Sequence, residues 1–184
     1  CWHSDNFGGT KMLCEVRLIS KGHKKIGFFS KRRINESLSI RDRYMGYTSA
    51  LAENNIEVNL DYVCVDLDDK YNMLNETEAA RYDSLRTCIA EIIGQMRAEG
   101  VTCILCQNDW VAVELYSVCE ELGISVPDDM CIMGFDNMDE LNNMHGGDKI
   151  ITVEQDFYEI GVRAGETILK EIRGEEKGIR DVVR

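Results

Sequence analysis

Short apolar runs that end in polar residues alternate with helical patterns along most of this chain, and this alternation most constrains its fold. The predicted strands are residues 25–30, 62–66, 102–106, a run within 126–137, and 150–154. The helical patterns reach about residue 21 and then cover 40–53, 78–98, 110–122 and 156–174. Short buried strands joined by amphipathic helices form parallel sheets with helices on both faces, so the sequence predicts an α/β fold of this kind.

Glycines and capping residues define the predicted helix boundaries. Gly22, Gly100 and Gly123 end three of the patterns, because the residue after a helix often needs a left-handed backbone that glycine adopts easily. Asp156 and Glu159 have the spacing of a capping box, which predicts the start of the last helix, with Ile160, Ala164 and Ile168 facing inward. In the first helix we expect Ser4 or Asp5 as the N-cap and one apolar face, formed by Met12, Val16 and Ile19.

Composition excludes several classes of protein. The 184 residues, 44% of them apolar and 29% charged, are typical of a globular domain, and no apolar run approaches the ~20 residues that span a bilayer. The net charge of −12 repels phosphate backbones, so this part of the protein is not expected to bind nucleic acid itself. The chain begins at Cys1 without a signal-peptide pattern, and we expect it to be part of a longer protein.

The eight cysteines indicate buried thiols rather than a disulfide framework. Cys88, Cys103, Cys119 and Cys131 lie inside apolar strand or helix patterns, where cysteine acts as a small hydrophobic residue. Cys103 and Cys106 form a C-x-x-C pair, but a redox pair would open a helix and a zinc site would need a second pair. We therefore expect no metal site and a reducing, cytoplasmic compartment.

Polar residues follow four of the predicted strands. They are Ser30, Asp66, Gln107-Asn108-Asp109 and Asp136-Asn137. Because parallel strands share a direction, these residues should meet at one edge, where carboxylates and amides suit a polyhydroxyl ligand. Each could instead be a turn or cap residue: Asp109 is placed equally well to cap the helix that begins at Trp110 and to bind a ligand.

No arrangement of catalytic residues is evident. The sequence lacks a G-x-S-x-G elbow, a phosphate-binding P-loop and a G-x-G-x-x-G dinucleotide motif. Its three histidines, His3, His23 and His145, fall in predicted loops or at the terminus. We therefore expect a binding protein with no cofactor rather than an enzyme.

Six segments resemble, in order, the effector-binding domain of lactose/galactose-repressor (LacI/GalR) transcription regulators, a fold shared with periplasmic sugar-binding proteins. They are Asp5-Asn6-Phe7-Gly8-Gly9, Gly22-His23-Lys24-Lys25-Ile26-Gly27-Phe28, Arg43-Tyr44-Met45-Gly46-Tyr47, Asn108-Asp109-Trp110-Val111-Ala112, 126–137 and Thr152-Val153-Glu154-Gln155-Asp156-Phe157. The resemblance covers nearly the whole chain. It implies two lobes with a ligand between them: 23–149 in the C-terminal lobe, 4–22 and 150–174 in the other lobe, and a DNA-binding head upstream.

The same resemblance implies the residues that contact the ligand. By position they are Arg43, Asn108, Asp136, Gln155 and Phe157. It explains Arg43, whose charge near the start of a helix opposes the helix dipole. The implied partners are a small effector such as a sugar, operator DNA through the head, and a second subunit of a homodimer.

Two segments depart from the family pattern. The loop at 145–149 contains no proline where family members usually carry prolines, and 67–71 is acidic where they often place an aromatic residue. Two other functions stay open from the sequence: a solute-binding protein of a transport system, and an enzyme built on the same kind of sheet.

Overall fold

The computed structural model describes residues 2–68, 77–174 and 181–183. For residues 2–4, 157 and 181–183 it describes the backbone alone. The strands are β1 Trp2–Ser4, β2 Ile26–Phe29, β3 Val63–Cys64, β4 Cys103–Cys106, β5 Cys131–Met133 and β6 Asp181–Val183. The α-helices are α1 Asn6–Leu13, α2 Leu38–Glu53, α3 Glu78–Ala98, α4 Asp109–Glu121 and α5 Phe157–Ile172. The chain continues from α1 through a π-helical turn, Cys14–Leu18, and a 3-10 turn, Ile19–Lys21.

Four strands form one parallel sheet in the order β3-β2-β4-β5. The predicted parallel α/β fold is thereby confirmed. β1 and β6 pair in parallel as a separate two-stranded sheet. Residues 69–71 of the acidic segment that departs from the family pattern fall outside the described residues.

Helices cover both faces of the four-stranded sheet because its strands are apolar on both faces. In β4, Ile104 and Cys106 pack toward α3 and α4, whereas Cys103 and Leu105 pack toward α1 and α2. All four are buried, as expected for a strand in the centre of a parallel sheet. The seven cysteines of the described residues all carry free thiols, and burial raises the pKa of the Cys14 thiol to about 12.

α1 crosses α2 at very close range. A Cβ on Gly46 of α2 would lie 2.4 Å from the carbonyl oxygen of Phe7, so only glycine permits this approach. Leu13 and Leu18 are buried with α2 and the sheet. The division into two lobes stays a prediction, but this packing favours placing residues 6–21 with the four-stranded sheet.

The predicted apolar face of the first helix is wrong. Met12 and Val16 are 58% and 57% exposed, whereas Leu13, Cys14 and Leu18 are buried. α1 buries Thr10 and Leu13 at a regular helical spacing, which leaves Met12 outside the buried face, and after Cys14 the π-helical pitch places Leu18 rather than Val16 on the buried side. Asp5 is the N-cap, and Gly22 follows the helix with a φ of 92°, as the sequence predicts.

The predicted strand at 150–154 is also wrong as a strand. Two isolated parallel bridges, Met133 to Ile151 and Asp136 to Glu154, and three backbone hydrogen bonds join the segment to its neighbour, but they form no continuous strand ladder. β5 ends at Met133, and the backbone then turns out of the strand conformation, reaching a φ of 111° at Asp136. The turn lies at the second bridge, and the pairing does not continue past it as a regular strand.

The last helix begins as predicted, because Asp156 accepts a hydrogen bond from the backbone N–H of Glu159 at 2.8 Å. The carboxylate of Glu159 accepts from Arg163 on the next turn. Ile168, predicted to face inward, is 56% exposed, so the described residues leave this part of the apolar face uncovered. Within the described ranges, no helix is long and apolar enough to cross a membrane.

Candidate functional site

The carboxyl edge of the sheet opens where the connections change direction. From β2 the chain crosses to β3 on one side, and it later returns to β4 on the other side of β2. The segments after β2 and β4 therefore diverge and leave a crevice, the usual ligand position in open parallel sheets. The strand ends are tied together there: Ser30 donates to the Gln107 side-chain oxygen at 2.5 Å, and the backbone N–H of Lys31 donates to the same oxygen at 3.0 Å.

Arg43 reaches this edge from α2 and links three separate elements. Its Nε donates to Asn6 Oδ1 at 2.8 Å, and its Nη2 donates to Asp136 Oδ1 at 2.7 Å. Its Nη1 donates to the backbone carbonyl of Gln107. The Arg43 side chain is 7% exposed, and its guanidinium carbon lies 4.0 Å from the centre of the Phe135 ring. One buried cation thus joins the start of α1 to the ends of β4 and β5.

Burial opposes ionisation of both partners in the Arg43–Asp136 ion pair. It lowers the pKa of Arg43, although the nearby Asp136 carboxylate acts in the opposite direction. It raises the pKa of Asp136, against the charge and hydrogen bonds of Arg43 and a hydrogen bond from Gln155. A guanidinium stays protonated in proteins, so a charge pair is kept here at the expense of solvation. Such pairs in a crevice are candidates for functional groups.

Asp136 combines this electrostatic position with an unusual backbone. Its φ of 111° is positive, and non-glycine residues with positive φ cost on the order of 1–3 kcal/mol unless their surroundings fix them. Gln155 Nε2 donates to the same carboxylate oxygen as Arg43. The Asp136 side chain remains 23% exposed, so it can still accept hydrogen bonds from a ligand.

The structure decides one of the two roles that the sequence leaves open for Asp109, the helix cap, while its role in ligand binding stays a prediction. The helix is capped by Asn108, whose Oδ1 accepts from the backbone N–H of Val111 at 3.1 Å, so the capping interpretation of Asp109 is wrong. Asp109 is 0% exposed and lies one residue inside the helix. Its Oδ1 accepts from Thr152 at 2.6 Å, and its Oδ2 accepts from the backbone N–H of Met138 at 3.0 Å. Burial raises the pKa of its carboxyl group.

A cleft of about 580 Å³ adjoins this cluster. It lies between the start of α1, the end of β5 and the segment that leads into α5, and it is lined by Gly8, Gly9, Met12, Phe135, Gln155 and Ile160, among others. A Cβ on Gly9 would lie 3.3 Å from the Phe135 ring, so glycine at this position lets α1 approach the ring closely. Phe135 and Gln155 belong both to the cleft and to the surroundings of Arg43 and Asp136.

The structure thus brings together Arg43, Asp136 and Gln155 from the predicted set. Asn108 is close along the chain, after Gln107, but its Oδ1 serves the helix cap. Phe157 is the first residue of α5, and its side chain lies outside the described part. Asp66, another predicted strand-end carboxylate, forms an exposed ion pair with Arg33 at 3.0 Å instead of joining the cluster.

Sequence reasoning missed two residues of the cluster. Asn6 accepts a hydrogen bond from the Arg43 guanidinium, and the Phe135 ring packs against the face of the same group. Both lie in segments that carry the family resemblance, one beside Asp5 and the other beside Asp136. The resemblance therefore contains both residues. An amide near a helix start more often caps the helix, however, and an apolar residue after a strand more often packs in the core.

The fold is that of an open parallel α/β domain, with polar side chains gathered at the carboxyl edge of the sheet, where such domains usually bind ligands. The chain belongs to the periplasmic binding protein-like domain family, whose model matches residues 16–184. The resemblance to effector-binding domains of LacI/GalR regulators is confirmed by its relatives.

Two relatives are transcriptional repressors. The HTH-type transcriptional repressor PurR of Photobacterium profundum is 29% identical over 170 residues, covering 92% of this chain and 45% of the repressor. The arabinose metabolism transcriptional repressor of Geobacillus stearothermophilus is 28% identical over 172 residues, covering 94% of this chain and 43% of that protein. The chain thus spans less than half of either relative.

A solved structure supports the fold independently. A regulatory protein of the LacI family from Chloroflexus aggregans superimposes with a TM-score of 0.78 at 20% sequence identity. The superposition covers 98% of this chain and 58% of that protein. The related proteins named here are regulators by name, and none of them is named as an enzyme or a transport protein.

Proposed function

We propose that this chain is the effector-sensing part of a DNA-binding transcription regulator, and that it binds a small polyhydroxyl ligand such as a sugar. The observation that carries this proposal is the Arg43–Asp136–Gln155 cluster beside the cleft, in a chain whose relatives are repressors. We propose further that the whole protein acts in the cytoplasm, without enzymatic activity, as a homodimer that presents two DNA-binding heads to an operator.

The chemistry of the cluster suits hydroxyl groups. Asp136 is already held by Arg43 and Gln155, so its carboxylate is fixed in direction before a ligand arrives. A fixed carboxylate accepts hydrogen bonds from vicinal hydroxyls at little cost in side-chain entropy. The Phe135 ring and Met12 supply apolar surface that can pack against the carbon faces of a sugar ring.

Regulation follows if the ligand binds one arrangement of the two lobes more tightly than the other. The ligand then shifts the populations of the two arrangements, and the affinity of the heads for DNA changes by the same coupling free energy. Gln155 and Glu154 lie directly before α5, so a ligand held by Gln155 contacts the connection into that helix.

The test is Asp136→Ala in the full-length protein, with isothermal calorimetry against D-ribose, L-arabinose, D-glucose and cellobiose. We expect at least one of these sugars to bind the unaltered protein and the variant to lose this binding, with circular dichroism unchanged. Asp61→Ala is a matched control, because Asp61 is an exposed carboxylate beside β3 on the far side of the sheet order from β5. Unchanged affinity in Asp136→Ala would overturn the site.

Regulation needs a separate measurement. Operator fragments selected from random DNA by the full-length protein should bind it with an affinity that the sugar changes in either direction. In Asp136→Ala, DNA binding should persist while the response to sugar disappears. A protein that binds sugar but no DNA would instead be a solute-binding protein.

A further inference from the structure

A second polar network lies beside the Arg43–Asp136 pair, and none of its side-chain hydrogen bonds involves Arg43. It consists of Asp109, Asn137, Met138 and Thr152, and we call it the Asp109 network. It joins the start of α4, the turn after β5 and the extended segment 150–154. Each of its bonds connects residues at least 15 positions apart in the chain, so it is a tertiary arrangement rather than a local turn.

The network holds the backbone on both sides of Asp136. The backbone N–H of Asp109 donates to the carbonyl of Phe135 at 3.0 Å, and Asp109 Oδ2 accepts from the N–H of Met138 at 3.0 Å. Thr152 Oγ1 accepts from the N–H of Asn137 at 3.2 Å and donates to Asp109 Oδ1 at 2.6 Å. The residue between these anchored groups is Asp136, with its φ of 111°, and Asn137 follows with a φ of 47°.

Gly134 makes room for the network. A Cβ at this position would lie 2.1 Å from Asp109 Oδ1, far inside contact distance. The glycine φ is not positive, so conformational freedom does not require glycine here; the buried carboxylate does. Asp109 is 0% exposed, and burying its carboxyl group costs free energy that its two hydrogen bonds offset. Those two bonds also fix the position of the turn after β5.

We propose that Asp109 and Thr152 are positioning residues, which hold the turn after β5 so that the Asp136 carboxylate points at Arg43 and the ligand. This inference rests on the proposed function, which gives Asp136 its role in binding. Without the network, the positive φ of Asp136 would relax toward commoner backbone conformations, and the carboxylate would leave its present position.

The decisive variants are Thr152→Val and Thr152→Ser in the full-length protein. Valine keeps the shape of threonine but removes both hydrogen bonds of its hydroxyl, whereas serine keeps the hydroxyl. Hydrogen exchange of the Asn137 and Met138 amides, followed by NMR or mass spectrometry, reports the turn directly. We expect exchange about tenfold faster in Thr152→Val and near the original rate in Thr152→Ser, with α3 and β4 amides unchanged as an internal control.

The same variants are measured against the tightest-binding of D-ribose, L-arabinose, D-glucose and cellobiose. Sugar affinity should fall about tenfold or more in Thr152→Val and recover in Thr152→Ser, which a general loss of stability would not produce. Gly134→Ala presses on Asp109 from the opposite side and should reproduce the local effect if it folds.

Two results would overturn the positioning role. One is equal exchange at Asn137 and Met138 in the valine and serine variants; the other is faster exchange spread evenly over the whole chain. If the local exchange changes as expected but none of the four sugars binds even the unaltered protein, the positioning of the turn stands and the proposed function fails for these ligands.

Discussion

The two edges of the four-stranded sheet both carry polar side chains, but these side chains are buried at one edge and exposed at the other. At the carboxyl edge, Arg43 and Asp109 are buried and bonded to residues far away in the sequence. At the amino edge, His23 Nδ1 lies 2.7 Å from Thr102 Oγ1 and Lys25 Nζ donates to the Glu99 carbonyl at 2.6 Å, but these contacts are exposed. Charged groups are thus shielded from water at the carboxyl edge and exposed to water at the amino edge.

Under the proposed function, this difference separates the residues proposed to bind ligand from residues that only end strands. Exposed polar pairs change stability little, because water replaces a lost partner. Buried charges are retained against a desolvation cost, so the carboxyl edge is less stable than an apolar version of it could be. Substitutions at the two edges should therefore differ in size and in pH dependence.

The largest effect is expected for Arg43→Met. Methionine keeps much of the length of the side chain but leaves the Asp136 carboxylate without its cation. The free energy of unfolding in urea should fall by about 2 to 3 kcal/mol, less than for a fully buried pair because solvent still reaches Asp136. The matched change at the amino edge, Lys25→Met, should stay within about 0.5 kcal/mol.

Adding Asp136→Asn to Arg43→Met sharpens this test, because asparagine tolerates the positive φ and carries no charge. The double variant should recover part of the stability lost by Arg43→Met alone. If the two substitutions are simply additive, or if Lys25→Met costs as much as Arg43→Met, the contrast between the edges fails.

An intermediate effect, visible as a pH dependence, is expected for Asp109→Asn. Burial raises the pKa of the Asp109 carboxyl above 3.8 in the folded protein, so the folded state binds the proton more tightly than the unfolded state. Its contribution to stability is therefore full below 3.8 and declines as pH rises, until the buried carboxyl is ionised. The unfolding free energy of the unaltered protein, minus that of the variant, should decline over the same range. A difference that increases with pH would contradict it.

The smallest effect is expected at the amino edge, for His23→Gln. Burial, and then the charge of Lys21, lower the pKa of His23 below 6.5, so its contribution to stability is present above 6.5 and is lost as pH falls. Removing the histidine should flatten this decline by less than about 0.5 kcal/mol in thermal or urea unfolding. A larger change would mean that the amino edge is less open to water than its contacts indicate.

The sequence predicts the parallel sheet and its helix ends well because these depend on short-range patterns. Apolar runs bounded by polar residues mark β2 and β4, and Gly22 and Gly100 end their helices with positive φ. The prediction fails at Met12, because the buried face of α1 runs through Thr10 and Leu13, and at 150–154, because the neighbouring strand β5 ends at Met133. Both failures arise from tertiary geometry, which a local pattern does not contain.

The candidate site is predictable in part for the same reason. Arg43, Asp136 and Gln155 were expected from the resemblance, and the structure places them in one cluster. The roles of Asn108 and Asp109 could not be separated, because either residue type caps helices and only the direction of the turn decides which one does. The role of Asn6 is not readable from the sequence, since its partner Arg43 lies 37 positions away.

The positive φ of Asp136 also constrains how this protein can change its ligand. The backbone geometry at position 136 favours glycine, asparagine and aspartate and disfavours β-branched residues. The chemistry of the side chain matters only among the residues that this geometry permits. Positions such as Glu154 and Ile160 line the cleft without that restriction. Natural or engineered variants should therefore acquire new ligand preferences through the cleft wall while keeping Asp136 as a fixed anchor.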